Sequence, residues 1–213
     1  MSRLRITEIF YSLQGESRTV GLPTVFVRLT GCPLRCHYCD TEYAFSGGNY
    51  MNLDEIVAVI ENYNTPYVTV TGGEPLAQPR CLELLQKLCE QDYHVSLETS
   101  GAIDIENVDP RVVKVVDLKT PKSGGMARNL WANINFINIK DQIKFVLCDR
   151  QDYEWAKMKI AEHQLDQKCE ILLSPCWETL PPADLANWIL KDQLKVRMQL
   201  QLHKILWGDK PGV

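Results

Sequence analysis

The chain has 213 residues, 45% of them hydrophobic and 23% charged, with a formal net charge of −4. That is the make-up of an ordinary globular protein, long enough for one domain with a well-buried core. The small acidic excess and the lack of any Lys/Arg-rich run argue against nucleic acid as the main partner. Neither a signal-peptide apolar region nor a run long enough to cross a bilayer is present, so a cytoplasmic protein is expected.

Taken in chain order, apolar alternation predicts strands over 4–10 and 24–30. A helix is expected at 52–63, where Asn52 stands as N-cap and Glu55, three residues on, completes a capping box. Strands over 67–71 and 94–98 flank a helix at 79–91. Strands over 112–118 and 142–148 flank the stretch 119–141, which is rich in Gly, Asn and Lys and has no assignable pattern. A helix at 151–165, a strand over 170–173, a helix at 182–192 and a last strand over 197–202 complete the series. Strand and helix alternate from about residue 24, the signature of a parallel sheet with crossover helices. Six strand ends carry polar motifs: "TGCP", "TGGEP", "ETSG", "DLKTPKSG", "LSPCWE" and "LQLHK". Sites of parallel α/β folds lie at the carboxyl ends of strands. The expected fold is therefore α/β, an incomplete TIM-like barrel in a single domain over 1–213, with the reaction at its mouth.

Eight cysteines need a reason in a reducing compartment, where disulfides are uncommon. Cys81 and Cys89 fall on one face of a predicted helix, Cys148 ends a strand and Cys169 opens one; these four read as small buried hydrophobes. Cys176, in "SPCWE", is undecided. Cys32, Cys36 and Cys39, in "GCPLRCHYCDT", are clustered in a way that packing does not explain. A structural zinc site closes with four ligands, and His37, between two of the cysteines, would have to curl back on a tight loop. An iron–sulfur cluster is the alternative. Three thiolates on a cubane leave one iron for a substrate or cofactor to chelate. Farther along, Gly72 and Gly73 follow a strand and would let backbone approach a ligand, with Glu74 free to accept from an ammonium.

"CPLRCHYC" resembles the Cys-x3-Cys-x-aromatic-Cys motif of radical S-adenosylmethionine enzymes, Tyr38 being the aromatic residue. "GGEP" (72–75) is similar to the motif that in those enzymes contacts the methionine amino group. The resemblance implies a barrel of the radical S-adenosylmethionine type and a [4Fe-4S] cluster on Cys32, Cys36 and Cys39. The open iron would bind S-adenosylmethionine, from which electron transfer releases a 5′-deoxyadenosyl radical. More closely, "EIFYSLQGE" (8–16), "PTVFVRLTGCPLRCHYCDT" (23–41), "VTGGEP" (70–75) and "LETSG" (97–101) resemble the 7-carboxy-7-deazaguanine synthases. That family converts 6-carboxy-5,6,7,8-tetrahydropterin to 7-carboxy-7-deazaguanine with loss of ammonia, on the way to the 7-deazaguanine nucleosides of tRNA. It regenerates S-adenosylmethionine and depends on Mg2+.

Site residues follow from the resemblance. Arg28, a cation on an otherwise apolar strand, wants an anion, and a substrate carboxylate would supply it. Leu13, Gln14, Gly15 and Glu16 would bind the pterin, with the amide and carboxylate on its donor-rich edge, and Thr99 would reach the substrate. Thr41 would ligate Mg2+ together with substrate and water, as that hard cation prefers. Tyr38, Cys39, Asp40, Gly72, Gly73, Glu74, Gly101, Lys119, Ser123 and Lys144 are assigned to the cofactor, with Asp40 also supporting Thr41. The deoxyadenosyl radical would take hydrogen from C6 of the substrate and return it after the skeleton rearranges. The family also implies flavodoxin or ferredoxin as electron donor and a homodimer. His203 could face the site or be structural, and the tail "LWGDKPGV" could cover it or stand in solvent.

Two alternatives stay open at this point. Glycyl-radical activating enzymes share the cluster spacing and Tyr38 but lack "SLQGE" in this form. A non-catalytic zinc-binding module would carry zinc without acid-labile sulfide.

Overall fold

A computed structural model of the chain describes residues 3–210 together with Gly212 and Val213. Nine strands form one open sheet in the order β3-β1-β2-β4-β5-β6-β7-β8-β9. They are β1 (Arg3–Leu13), β2 (Pro23–Leu29), β3 (Asn49–Asn52), β4 (Tyr67–Gly72), β5 (His94–Thr99), β6 (Val113–Asp117), β7 (Gln142–Leu147), β8 (Glu170–Pro175) and β9 (Arg197–Met198). β1 runs antiparallel to both β2 and β3, and every pair from β2 to β9 is parallel. The helices are α1 (Leu53–Ile60), α2 (Cys81–Glu90), α3 (Arg150–Glu162), α4 (Pro182–Asp192) and α5 (Leu202–Trp207). The expected incomplete parallel barrel is found, with edges at β3 and the two-residue β9 that keep it from closing. Among the described residues no helix is long and apolar enough to cross a membrane.

Strand periodicity sorts the side chains onto two faces. Val25, Val27 and Leu29 of β2, Val68 and Val70 of β4, Val95 and Leu97 of β5, and Ile143, Phe145 and Leu147 of β7 are buried in the hydrophobic core. Their neighbours Phe26, Arg28, Thr71, Glu98, Val115, Asp117, Lys144 and Val146 face the opposite way, into a cavity. Local chemistry starts the helices. Asn52 Oδ1 accepts from Glu55 N at 2.9 Å and Glu55 Oε2 accepts from Asn52 N at 2.7 Å, the predicted capping box. Asp149 caps α3 by accepting from Asp152 N.

The stretch 119–141 holds three short 3-10 turns and no strand or α-helix. Buried polar side chains fasten it to backbone. Asn129 exchanges two hydrogen bonds with the backbone of Lys119, and Asn133 Nδ2 donates to the carbonyls of Gly101 and Ile103. Asp141 accepts from the amides of Lys114 and Asn138 and pairs with Lys114 Nζ at 3.1 Å, both side chains being buried. Such side-chain bonds compete with regular ladders, which is why no periodicity was visible there.

Three expectations are corrected. The short edge strand β3 was not foreseen. The last strand, expected over 197–202, is β9 alone, and Leu202 instead opens the helix α5. Cys81, Cys89 and Cys169 are buried as expected, but Cys148 is only half-buried.

The Lys114–Asp141 pair gives a stability test. Removing one partner strands a buried charge, so Asp141→Ala should cost about 3–5 kcal/mol in urea unfolding, whereas the apolar double change Lys114→Met with Asp141→Leu should lose far less.

Candidate active site

The cavity of about 600 Å³ is walled by the carboxyl ends of β2 and β4 to β8. Its floor comes from an unexpected direction. Because β1 is antiparallel to β2, the segment after Leu13 starts at the far end of the sheet and folds back across its inner face. Gln14 Nε2 donates to Thr69 Oγ1 at 3.1 Å and Glu98 Oε1 at 3.4 Å, Ser17 N to Gln199 Oε1, and Arg18 N to Gln142 Oε1. Gln14 is thereby buried.

The three-cysteine loop leaves the end of β2 at the rim. Gly31 N donates to Ala44 O, His37 N to Ser123 O and Cys39 N to Cys36 O. Arg35 Nη1 donates to the carbonyls of Cys32 and Leu34 while its guanidinium lies over the Phe45 ring. Cys32, Cys36 and Cys39 are half-buried, line the cavity and take part in no disulfide. Burial pushes all three thiols up, so a coordinating metal is what would deprotonate them here. Among the described residues no trio of His, Cys, Asp and Glu side chains gathers round a single-ion site.

Behind the loop the backbone comes very close. Gly73 N donates to Leu29 O and Glu74 N to Gly31 O at 2.8 Å. A Cβ on Gly73 would lie 2.5 Å from Gly31 O and 2.7 Å from Cys32 Cβ, so only glycine fits.

Charged side chains fill the opposite wall. Arg28 Nε donates to Glu8 Oε1 at 2.7 Å, and Tyr43 Oη donates to the same oxygen at 2.8 Å. Burial, with Glu8 accepting its proton, pushes the Tyr43 hydroxyl up to about 12. Lys144 Nζ pairs with Glu16 Oε2 at 2.5 Å and with Asp117 Oδ2 at 4.0 Å, while Lys119 Nζ pairs with Asp117 Oδ2 at 2.9 Å. Burial alone would push both ammonium groups down, but Glu16 and Asp117 for Lys144, and Asp117 and Cys36 for Lys119, outweigh it. Burial also pushes the Glu98 carboxyl up, with Glu16 adding to it. Thr41 Oγ1 donates to Asp40 Oδ1 at 2.7 Å, and Asp40 Oδ2 faces Gln201 Nε2 at 3.3 Å and Lys204 Nζ at 3.5 Å. In three residues that line this cavity a buried atom finds no partner among the described residues: Glu16 Oε1, Tyr38 Oη and Asp117 Oδ1.

The structure thus brings Leu13, Gln14, Gly15, Glu16, Arg28, Cys32, Cys36, Tyr38, Cys39, Asp40, Thr41, Gly72, Gly73, Thr99, Lys119 and Lys144 to one cavity. It leaves out three. Glu74 is fully buried with its carboxylate already spent, accepting from Leu76 N, Thr99 Oγ1, Ser100 N and Ser100 Oγ. It is a brace between the ends of β4 and β5, not a free acceptor for an ammonium, and the Thr99 hydroxyl is committed to it. Gly101 packs against Val116 behind the wall, and Ser123 is buried with its hydroxyl on Thr120 O. Arg28 too has its anion in Glu8, a partner not anticipated. Residues the sequence reading missed include Glu8, Tyr43, Glu98, Asp117 and Lys204. Asp117 and Lys119 carried a signal, an acid and a base two apart where an apolar strand ends.

His203 sits on α5 with its ring against Gly15, and burial pushes it below the ordinary imidazole value. Of the tail, Pro211 lies outside the described residues; Gly208, Asp209, Lys210, Gly212 and Val213 form part of the cavity wall.

Residues 26–115 match the family model of the radical SAM superfamily. With three thiols on a loop at the rim of an incomplete parallel barrel, the chain is a radical S-adenosylmethionine enzyme. A 7-carboxy-7-deazaguanine synthase from Chlorobaculum tepidum is 47% identical, covering 99% of this chain and 97% of the relative. Another, from Koribacter versatilis, is 43% identical over 96% of this chain and 97% of its own length. The crystal structure of QueE from Escherichia coli shares the fold, with a TM-score of 0.78 at 24% identity over 94% of this chain and 95% of that one. The chain belongs to the 7-carboxy-7-deazaguanine synthase family. Membership implies a [4Fe-4S] cluster, S-adenosylmethionine, a small-molecule substrate and a reductant. The three unpaired thiols, the side-chain-free backbone behind them and the unpartnered polar atoms of the lining residues fit that cofactor pair.

Gly73→Ala tests the close approach: iron and acid-labile sulfide per chain should fall well below wild type while far-ultraviolet circular dichroism keeps its helical signal.

Proposed function

We propose that this chain converts 6-carboxy-5,6,7,8-tetrahydropterin to 7-carboxy-7-deazaguanine with loss of ammonia. The observation that carries the reading is the junction of two features in one cavity: a three-thiol loop at the rim and the Gln14–Glu16 floor. Cys32, Cys36 and Cys39 would hold the cluster, and the Gly72–Gly73 backbone would admit the methionine end of S-adenosylmethionine. Bound together, the two groups supply a 5′-deoxyadenosyl radical, the difficult part of the chemistry.

The protein's own residues bind, orient and exclude water. Arg28 uses Nε on Glu8, which leaves the terminal NH2 groups of its fork for a substrate carboxylate. Glu16 Oε1, buried and unpartnered, is an acceptor suited to the donor-rich pyrimidine edge of a pterin. Lys144 and Gln14 hold that acceptor and its neighbour in place. Asp117 Oδ1 offers a second acceptor, suited to a hydroxyl of the cofactor. Because Thr41 gives its proton to Asp40, its lone pairs face outward, and we place Mg2+ there, shared with substrate carboxylate and water. The tail residues in the cavity wall would keep bulk solvent from a radical. A flavodoxin or ferredoxin as reductant and a homodimer complete the proposal.

The anaerobic protein, given reductant, S-adenosylmethionine and the carboxy-tetrahydropterin, should release ammonia and an ultraviolet-absorbing deazaguanine. Absence of that product from cluster-loaded protein would contradict the reading. Cys36→Ala should abolish S-adenosylmethionine cleavage. Thr41→Ala should leave the cluster spectrum intact while weakening Mg2+ stimulation of turnover, measured as rate against Mg2+ concentration.

A further inference from the structure

Two thiols outside the cluster loop meet at the ends of neighbouring strands. The parallel register of β7 and β8 pairs Val146 with Ser174 and Leu147 with Pro175. Continued by one residue it sets Cys148 opposite Cys176, and Cys176 N extends the ladder by donating to Leu147 O at 2.8 Å. Adjacent strands lie about 4.7–4.9 Å apart, inside the roughly 4.4–6.8 Å between Cα atoms that a disulfide spans. The backbone is held on both sides, since Cys148 N donates to Asp152 Oδ2 at 3.0 Å and Thr179 N donates to Cys176 O at 3.1 Å. Residues opposite one another on adjacent strands present their side chains on the same face, so the two thiols stand side by side, with Cys176 Sγ 3.5 Å from Thr179 Oγ1. Cys176 is buried in the cavity wall, beside Trp177 and Thr179, while Cys148 is half-buried.

We propose that Cys148 and Cys176 form a redox-active dithiol in the cavity wall, a modification site for low-molecular-weight disulfides that closes to an intramolecular Cys148–Cys176 disulfide. The Cys176 thiolate attacks one sulfur of the oxidant. The oxidant's S–S bond breaks, and the departing thiolate takes up a proton. Cys148 then loses its proton and displaces the second thiol from the mixed disulfide. The two cysteines give up two electrons and two protons in all, and one oxidant disulfide becomes two thiols.

The surroundings suit that order of events. The neighbouring Cys148 thiol is the leading cause that holds the Cys176 thiol below its ordinary value, with Thr179 and Lys204 adding to it against the effect of burial. Cys148 is pushed the other way, by Cys176 and by burial. One thiol poised as nucleophile beside a protonated partner is the division of labour of exchange-active pairs. A bond between these positions tethers the ends of β7 and β8 where they carry Val146 and Cys176 into the cavity, so the oxidised wall differs from the reduced one without touching Cys32, Cys36 or Cys39.

The test uses cluster-loaded protein, so that the metal protects its own ligands. The protein is incubated anaerobically with glutathione disulfide, quenched by alkylation, and mapped by mass spectrometry without reduction. A cross-linked Cys148–Cys176 peptide pair, two hydrogens lighter than the separate thiols and restored by a dithiol reductant, is the expected result. Cys148→Ser removes the resolving thiol and should accumulate a glutathione adduct on Cys176 at least about tenfold above wild type. Two outcomes overturn the proposal: both residues alkylated as separate thiols across the whole glutathione range, or oxidation confined to Cys32, Cys36 and Cys39. Should the serine variant fail to fold, the wild-type map decides alone, and neither readout depends on turnover.

Discussion

A carboxylate with no access to solvent holds the rim of this barrel together. Glu74 accepts two hydrogen bonds from Ser100, one from Leu76 N and a forked one from the Thr99 hydroxyl that reaches both carboxylate oxygens. A buried charge is tolerable only when its lone pairs are satisfied this fully. The consequence is that the ends of β4 and β5 are locked in register, and the Gly72–Gly73 backbone is presented at a fixed height behind Cys32. Glu74 N, on the same residue, binds Gly31 O, so the brace and the thiol loop share one piece of chain. The positions of three thiols over a cavity therefore trace back to one acid whose carboxylate is bonded within the chain.

The cavity itself is a mosaic of opposite charges. Glu16, Lys144, Asp117 and Lys119 alternate along one wall, and Arg28, Glu8 and Tyr43 occupy another. Each charge has a counter-charge, which keeps the set stable when empty of substrate. Yet Glu16 Oε1 and Asp117 Oδ1 remain without donors in the chain. A surface that is neutral overall but carries surplus acceptors and a free arginine fork suits zwitterionic, hydroxyl-bearing and carboxylate-bearing molecules. S-adenosylmethionine and a carboxylated pterin are such molecules.

Much of this was legible in the sequence because period-two alternation and parallel-strand logic act locally. Val25, Val27 and Leu29 against Phe26 and Arg28 read correctly as two faces, and the capping box at Asn52 and Glu55 fell where it was expected. The cysteine spacing located the cluster loop. What could not be read depends on long-range partners. Glu74 looked like an acceptor for a ligand because Ser100, which consumes it, is 26 residues away. Arg28 looked unpaired because Glu8 lies on the antiparallel neighbour, 20 residues back. "LQLHK" alternates like a strand, but with "ILW" appended it also fits helical spacing, and contact with Gly15 decided for the helix α5. The floor of the cavity needed the antiparallel placement of β1, which no local pattern announces.

The proposed chemistry needs a cluster that keeps one iron free of protein thiolate for S-adenosylmethionine. Electron paramagnetic resonance of the reduced, anaerobically reconstituted protein, recorded before and after adding S-adenosylmethionine, tests this most directly. A [4Fe-4S] signal whose g-values shift on addition is the predicted result. A signal that does not change with the cofactor, or protein that takes up no iron and sulfide, would contradict it.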